Sequence, residues 1–203
     1  EFAQLKQPEV KKKHNMNTEN TKLAYADIII LDNGGYLGAV LITDQKGFPV
    51  EFRYTDPIIP TKIQKVLYGK GIQKYLKVDV ILDSLLKILS NNFELLIVSD
   101  EELLSYDGEL SAPILRISQT KSPIIGEKGA LSKIKDTEYL IQTTSSQSPI
   151  RVQLREGDKN LSDENAINTM AEFLCNMSDL IDVCEPLSRV KQSIDLICQK
   201  DIQ

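Results

Sequence analysis

The feature that most constrains the fold of this chain is a turn, Asn33-Gly34-Gly35, between two runs of strand-forming residues. The run before the turn is ADIIILDN and the run after it is YLGAVLITD. Asn and Gly close tight hairpins because they adopt the positive φ angles that such turns require. The two runs are therefore predicted to pair antiparallel, which makes the first part of the chain a β-meander.

A third run, FPVEFRYTD, follows the short turn QKG and alternates between apolar and polar residues. Alternation with a period of two places one kind of residue on each face of a strand. The third strand is therefore predicted to have one apolar face, formed by Phe48, Val50, Phe52 and Tyr54. Its polar face places Glu51 and Arg53 where the two side chains could pair.

Helical patterns follow this meander. Pro57 and Pro60 end the third strand, and Thr61 is a suitable N-cap for a short helix, KIQKVLYG. A longer helix is predicted from about residue 72 to residue 90. The buried-type strand FELLIVSD then ends at Asp100, and a short helix and a further strand, PILRISQT, come after it.

The second half of the chain is predicted to contain a loop, a hairpin and a helical end. Residues 121–136 have the composition of a loop, and EYLIQTT and IRVQLRE form the second hairpin. Ser162 is the expected N-cap of the C-terminal helix, and Pro186 should kink that helix or begin a second one. The order β-β-β-α-β-β, then a β-hairpin and helix, predicts an α+β protein with a mixed, mainly antiparallel sheet covered by helices.

Composition shifts suggest the domain organisation. Residues 1–22 are polar and without periodicity, so they are predicted to form a flexible tail, of which residues 1–15 could be non-native. Residues 23–203 are predicted to form a single α+β domain, with a sub-boundary possible in the loop 121–136. The sequence has neither an apolar run of about 20 residues nor the apolar segment of a secretory signal, which predicts a cytoplasmic protein without membrane contact.

Several classes of active site are unsupported by the residue types present. The only histidine is His14, in the polar tail, so histidine-based nucleophile systems and metal sites are not expected in the folded part. The three cysteines lack paired spacing, and no glycine-rich phosphate-binding motif is present. We therefore expect no cofactor and favour a non-enzymatic binding or adaptor module as the function.

The favoured binding surface lies in residues 51–77. This stretch has five lysines between residues 57 and 78 and no acidic residue there, although the whole chain has a net charge of −5. A local positive surface with interleaved aromatic residues suits a protein partner or an anionic ligand, and nucleic acid is one candidate. The predicted binding residues are Arg53, Tyr54, Asp56, Lys62, Lys65, Tyr68, Lys70 and Lys74, and Lys77 is expected on the same helix face as Lys70 and Lys74.

Two alternatives remain open. The element order over about residues 24–106 resembles the ribonuclease H-like fold, in which acidic residues at the ends of the first and fourth strands help to hold two metal ions. That resemblance implies a Mg²⁺- or Mn²⁺-dependent nuclease, or an inactive relative, with Asp32, Asp83 and Asp100 as the acidic residues and Asp79 as another choice for the helix position. The same strand order also suits profilin-like scaffold domains.

The other alternative is a dimeric regulatory subunit. Apolar residues recur every three or four positions through the C-terminal helical region, so residues 162–200 could form a homodimer seam if they do not cover the chain's own sheet.

Overall fold

The computed structural model describes residues 20–200. Most of the predicted tail, including His14, lies outside the described residues, whereas Lys22 already belongs to the first strand. In this part of the chain, eight strands form one sheet in the order β3-β2-β1-β4-β5-β8-β7-β6. The strands are β1 (Lys22–Ile30), β2 (Tyr36–Asp44), β3 (Pro49–Tyr54), β4 (Leu95–Val98), β5 (Ile114–Gln119), β6 (Leu131–Lys135), β7 (Glu138–Ile141) and β8 (Ile150–Leu154).

The sheet is mostly antiparallel. Only β4 runs parallel to its two neighbours, β1 and β5, among the strand pairs of the described residues. The predicted hairpins are both present, since β1 pairs antiparallel with β2, and β7 with β8. Gly34 has a φ angle of 77°, and Asn33 Oδ1 accepts a 2.9 Å hydrogen bond from the Gly35 amide, which accounts for the turn that the sequence predicts.

Helices occupy both faces of the sheet. The helices are α1 (Lys62–Tyr68), α2 (Ile72–Lys74), α3 (Asp83–Lys87), α4 (Glu164–Ser178) and α5 (Glu185–Lys200). A 3₁₀ turn, Gly69–Gly71, joins α1 to α2, and a π-helical segment, Tyr75–Leu82, joins α2 to α3. Further 3₁₀ turns are Glu101–Ser105 and Lys159–Leu161. The predicted α+β class, with helices covering a mainly antiparallel sheet, is confirmed.

The core has two layers, one on each face of the sheet. Tyr25 of β1 and Ile97 of β4 face α4 and α5, whose buried residues include Phe173 and Val190. The next residues in each strand point the other way and pack against the π-helical segment and the 3₁₀ turn Glu101–Ser105. Because successive side chains of a strand alternate between faces, the buried central strands read as continuous apolar runs.

Some local predictions are wrong. Asp163, not Ser162, is the N-cap of α4, because its carboxylate accepts a hydrogen bond from the Ala166 amide. The segment 121–136 contains β6, which pairs with β7. The predicted apolar face of β3 is largely exposed, because β3 is an edge strand, although Phe52 packs against the core layer that faces α4 and α5.

Other local predictions are confirmed. Thr61 caps α1 through a capping box with Gln64, and a second helix does begin beside Pro186, where α5 starts at Glu185. The apolar stripe of α4 and α5 packs on the sheet, and the homodimer through residues 162–200 stays a prediction. In the described part of the chain, no helix combines the length and apolarity that crossing a membrane would require.

Candidate functional site at the ends of β1 and β4

The parallel strand β4 ends at Val98, beside Ala26 in the second half of β1, which continues to Ile30. Ala26 lies opposite Val98 in the register, so the following residues, Asp27 and Ser99, are also neighbours. Ser99 donates a hydrogen bond from its hydroxyl to Asp27 Oδ1. Asp27 is buried and lies in a run that otherwise fills the core. A buried carboxyl group needs such a partner, because burying a polar group without a hydrogen bond is costly.

A second group of charges lies one residue further along. Lys77 Nζ contacts Asp100 Oδ2 at 2.5 Å and Glu102 Oε2 at 2.9 Å. Gln73 also donates to Glu102, over 2.9 Å. The Glu102 amide donates to Asp100 Oδ1 over 3.1 Å, which fixes the two acidic residues relative to each other. We refer to Lys77, Asp100 and Glu102 as the charge cluster.

The ionised forms are favoured in the charge cluster. Burial alone would lower the pKa of Lys77, but hydrogen bonds to Asp100 and Glu102 outweigh burial, and the pKa is raised. Burial would raise the pKa of Asp100, yet its hydrogen bonds with Lys77 and the Glu102 amide lower it below the usual range. Burial likewise opposes the shift at Glu102, whose pKa is lowered by Gln73 and Lys77. All three groups are therefore charged at neutral pH.

The π-helical segment explains how a lysine reaches this position. Leu76 and Val78, on either side of Lys77 in the chain, are both buried against the sheet. Lys77 therefore lies in the layer between the helical segment and the sheet, and its side chain is only 6% exposed. A π-helical turn is wider than an α-helical turn and is often found at functional sites.

The two groups lie on opposite faces of the sheet. Asp27 is two residues after Tyr25, and Tyr25 packs against α4 and α5. Asp100 instead meets Lys77, whose neighbours Leu76 and Val78 pack on the other face. Because successive side chains of a strand alternate between faces, the sheet lies between the Asp27–Ser99 pair and the charge cluster.

The acidic residues named by the ribonuclease H-like resemblance are not brought together. Asp32 is exposed in the turn between β1 and β2. Asp83 bonds Lys87 at 2.6 Å and accepts a hydrogen bond from the Tyr106 hydroxyl, and Asp79 is exposed on the π-helical segment. Of the three predicted residues, Asp100 alone contributes to the charge cluster.

Sequence reasoning missed Asp27, Glu102 and the role of Lys77. Asp27 was included in the first predicted strand without a role, although it is the only charged residue inside the run ADIIIL. An acidic residue in a buried strand is a signal that could have identified it. Lys77 carried no such signal, because its partners lie more than twenty residues further along the chain.

The lysine stretch is less uniform than predicted. Lys62, Lys65, Lys70 and Lys74 are exposed, but Lys77 is buried and does not share their surface. Helix α1 has no buried residue, so its apolar residues do not supply the expected core contacts. Ile63, Val66 and Leu67 are all more than 70% exposed.

The other predicted binding residues lie at the same end of the sheet. Arg53 pairs with Glu51 at 2.9 Å, as the strand alternation indicated. Tyr54 and Asp56 are exposed at and after the end of β3, and Tyr68 stacks on Tyr75 with ring centroids 4.3 Å apart. Their roles in binding stay predictions.

The donor set at this edge does not fit a metal centre. Within residues 20–200, no group of three or more His, Cys, Asp or Glu side chains is arranged to hold a metal ion. Two features of the site explain why no metal centre is formed by these residues. Asp27 and Asp100 face opposite sides of the sheet, and the oxygens of Asp100 and Glu102 that would meet a cation already contact an ammonium group.

Comparison with solved structures identifies the fold. Endonuclease V from Streptomyces avermitilis matches with a TM-score of 0.58 and 13% identity, over 91% of this chain and 84% of that one. Human ENDOV matches with a TM-score of 0.60 and 9% identity, over 91% of this chain and 87% of that one. The catalytic domain of human Endonuclease V matches with a TM-score of 0.55 and 8% identity, over 90% of this chain and 84% of that one. No protein-family model and no curated protein matches the sequence.

These likenesses overturn the favoured hypothesis. A non-enzymatic binding or adaptor module was expected, but the fold shared over about nine tenths of the chain is that of an endonuclease. The ribonuclease H-like alternative is therefore better supported than the adaptor hypothesis. The adaptor hypothesis was wrong because it rested on absent motifs, and a carboxylate-based site needs neither histidine nor a glycine-rich loop.

Proposed function

We propose that this chain is a relative of the ribonuclease H-like nucleases and that it engages a nucleic-acid strand at the site where β4 ends beside Asp27 of β1. The observation that carries the proposal is the endonuclease fold over 91% of the chain, with TM-scores of 0.58 and 0.60. A buried acidic residue, Asp27 of β1, and a partly buried one, Asp100, lie where β4 ends beside β1, and acidic residues on these two strands are also a feature of the fold class that the element order resembles.

Exposed lysines at this end of the sheet supply the attraction for phosphates. Asp27 of β1 pairs with Ala39 of β2, and Ala39 pairs with Tyr54, so β3 ends level with Asp27. Helix α1 follows β3 in the chain. Lys65 Nζ of this helix lies 3.9 Å from the position that a Cβ atom would occupy on Gly34, in the turn between β1 and β2. Lys65 therefore lies beside the turn that follows β1, and Lys62 precedes it by three residues in the same helix.

The proposed function of this site is to bind a nucleic-acid strand, and it involves no step at a metal ion. Metal-assisted phosphodiester hydrolysis needs carboxylates that converge on the same cations. Here Asp27 of β1 and Asp100, which follows β4, lie on opposite faces of the sheet, and Lys77 neutralises Asp100. Of the two forms of the nuclease alternative, this arrangement supports a relative that has lost the preformed metal centre.

A charge-reversal experiment tests the proposal. Fluorescence anisotropy with labelled single-stranded and double-stranded DNA and RNA should show binding that weakens as salt rises, because phosphate contacts release counterions. The double variant Lys62→Glu/Lys65→Glu should bind at least about tenfold more weakly, and the slope of log K against log salt should fall by about two.

The matched control is Lys46→Glu. Lys46 is exposed in the turn between β2 and β3, and this turn lies at the opposite edge of the sheet because Asp44 pairs with Lys22 at the start of β1. The control should bind like the wild type. If the wild type binds none of the strands at low salt, or the double variant binds as tightly as the control, the proposal is wrong.

A further inference from the structure

The charge cluster contains a cation that the chain supplies itself. Lys77 Nζ lies within hydrogen-bond distance of one oxygen from each of two carboxylates, Asp100 and Glu102. Its side chain is 6% exposed, whereas the two carboxylates are 35% and 36% exposed. The ammonium group therefore lies on the protein side of the cluster, and the carboxylates form its solvent side.

Such an ammonium group is held in place by its two partners. Taking a charged lysine out of water is costly unless carboxylates at close range compensate for the lost hydration. Asp100 and Glu102 do so, and both carboxylates have a lowered pKa. Removing Lys77 would leave two ionised carboxylates side by side on the solvent side of the cluster.

We infer that the Lys77 ammonium takes the place of a divalent cation between Asp100 and Glu102, so that this chain engages nucleic acid without Mg²⁺ or Mn²⁺. A divalent ion bound to the same two oxygens would lie within a few ångströms of the ammonium group, and two cations at that distance repel each other. Lys77 cannot easily withdraw, because the buried neighbours Leu76 and Val78 hold its backbone against the sheet.

The inference predicts that a divalent site appears when Lys77 is removed. Lys77→Met keeps the unbranched apolar part of the side chain and removes its charged end, and it leaves oxygen donors of the kind that Mg²⁺ and Mn²⁺ prefer. Calorimetric titration with Mn²⁺ alone should show at least about tenfold tighter binding by this variant than by the wild type. The gain should disappear in Lys77→Met/Asp100→Asn.

The control for loss of a lysine charge is Lys87→Met. Lys87 pairs with Asp83 but is 72% exposed. Unlike Lys77, Lys87 has no second carboxylate partner among the described ion pairs. This variant should bind Mn²⁺ no better than the wild type. Equal gains in Lys77→Met and Lys87→Met would overturn the inference, because the effect would then come from general charge.

Wild-type measurements keep the inference testable if Lys77→Met does not fold. The wild-type protein should show no change in melting temperature with Mn²⁺ at concentrations up to about 1 mM, since only a bound ligand stabilises the native state. Binding at micromolar concentrations, or strand cleavage that requires Mn²⁺ and disappears in Asp100→Asn, would overturn the inference.

A last experiment distinguishes this inference from the proposed function. The part of the inference that concerns nucleic acid rests on the proposed function. Strand binding by the wild type should agree within about twofold between EDTA and Mn²⁺. Tenfold tighter binding with Mn²⁺ would contradict the inference and leave the proposed function standing. Absence of strand binding in both buffers would contradict the proposed function, whereas the Mn²⁺ titrations would still decide whether Lys77 occupies the cation position.

Discussion

At the scale of single residues, Glu51 shows how one carboxylate can tie an edge strand to a helix end. Its oxygens accept hydrogen bonds from the Ser90 and Asn91 amides and from the Asn91 side chain, and its side chain is 6% exposed. The hydrogen bond from the Asn91 side chain is the largest cause of a pKa lowered to about 2, and the Ser90 amide and Arg53 add to it. Glu51 is therefore ionised in the native state over almost the whole pH range.

Glu51→Gln should lower the free energy of unfolding by about 1–2 kcal/mol at pH 7, because hydrogen bonds to a charged acceptor are stronger than those to a neutral one. The folded-state pKa is below the unfolded value of 4.5, so the contribution is present above about pH 4.5 and is lost as the pH falls towards 2. Urea unfolding at pH 7 and at pH 3 measures both effects.

Glu109→Gln is the control, because Glu109 is exposed in the loop before β5. Its stability should equal that of the wild type at both pH values. If the gap between Glu51→Gln and the wild type does not shrink from pH 7 to pH 3, the hydrogen bonds of Glu51 do not favour its charged form.

The charge cluster shows why single residues are hard to place from sequence. The spacing of Lys70, Lys74 and Lys77 predicted one exposed helix face. Lys77 is buried instead, because the helical segment is π-helical there and because Asp100 and Glu102 approach from another part of the chain. Helical spacing contains no information on partners that are distant in sequence, so the acidic side of this site could not be derived from it.

At the scale of elements, Gly38 of β2 lies in close contact with the π-helical segment. A Cβ atom on Gly38 would lie 2.4 Å from Ile81 Cγ2 and 2.9 Å from Ile28 Cγ1, and both of these residues are buried. The absence of a side chain at this position therefore allows the π-helical segment to pack directly on β2. The position of Lys77 over the sheet edge depends on that close packing.

Gly38→Ala should destabilise the protein by about 1–3 kcal/mol, the usual cost of adding a methyl group to a packed core. Thermal unfolding followed by circular dichroism measures the change. Gly71→Ala is the matched control, because a Cβ atom on Gly71 meets no atom within 4 Å. The control should be neutral or slightly stabilising, and equal destabilisation of both variants would show that close packing at Gly38 is not the cause.

Elements with a buried face could be predicted, and those without one could not. The hairpin of β1 and β2 and the helix pair α4 and α5 carry clear turn signals and apolar periodicity, and both predictions were confirmed. Strand β6 was missed because four of its five residues are exposed, so no alternation marks it. Its pairing with β7 depends on backbone hydrogen bonds, and the sequence does not display these.

At the scale of the whole molecule, one apolar layer crosses the segment that was predicted as a possible domain boundary. The layer beneath α4 and α5 includes Leu23 and Tyr25 of β1 as well as Tyr139 and Val152, which come after residues 121–136 in the chain. Phe173 of α4 belongs to the same layer and is 2% exposed. Both sides of the segment therefore share one core.

We expect the described part of the chain to unfold in one cooperative transition. Calorimetric and van't Hoff enthalpies should agree, as they do for two-state unfolding. Phe173→Ala should cost about 3–5 kcal/mol, and hydrogen exchange should then show an equal loss of protection in β1 and in β8, because a shared core couples them. Leu196→Ala is the control, since Leu196 is 59% exposed on α5. Two separate transitions, or a loss of protection confined to β8, would show that residues 121–136 do separate two folding units.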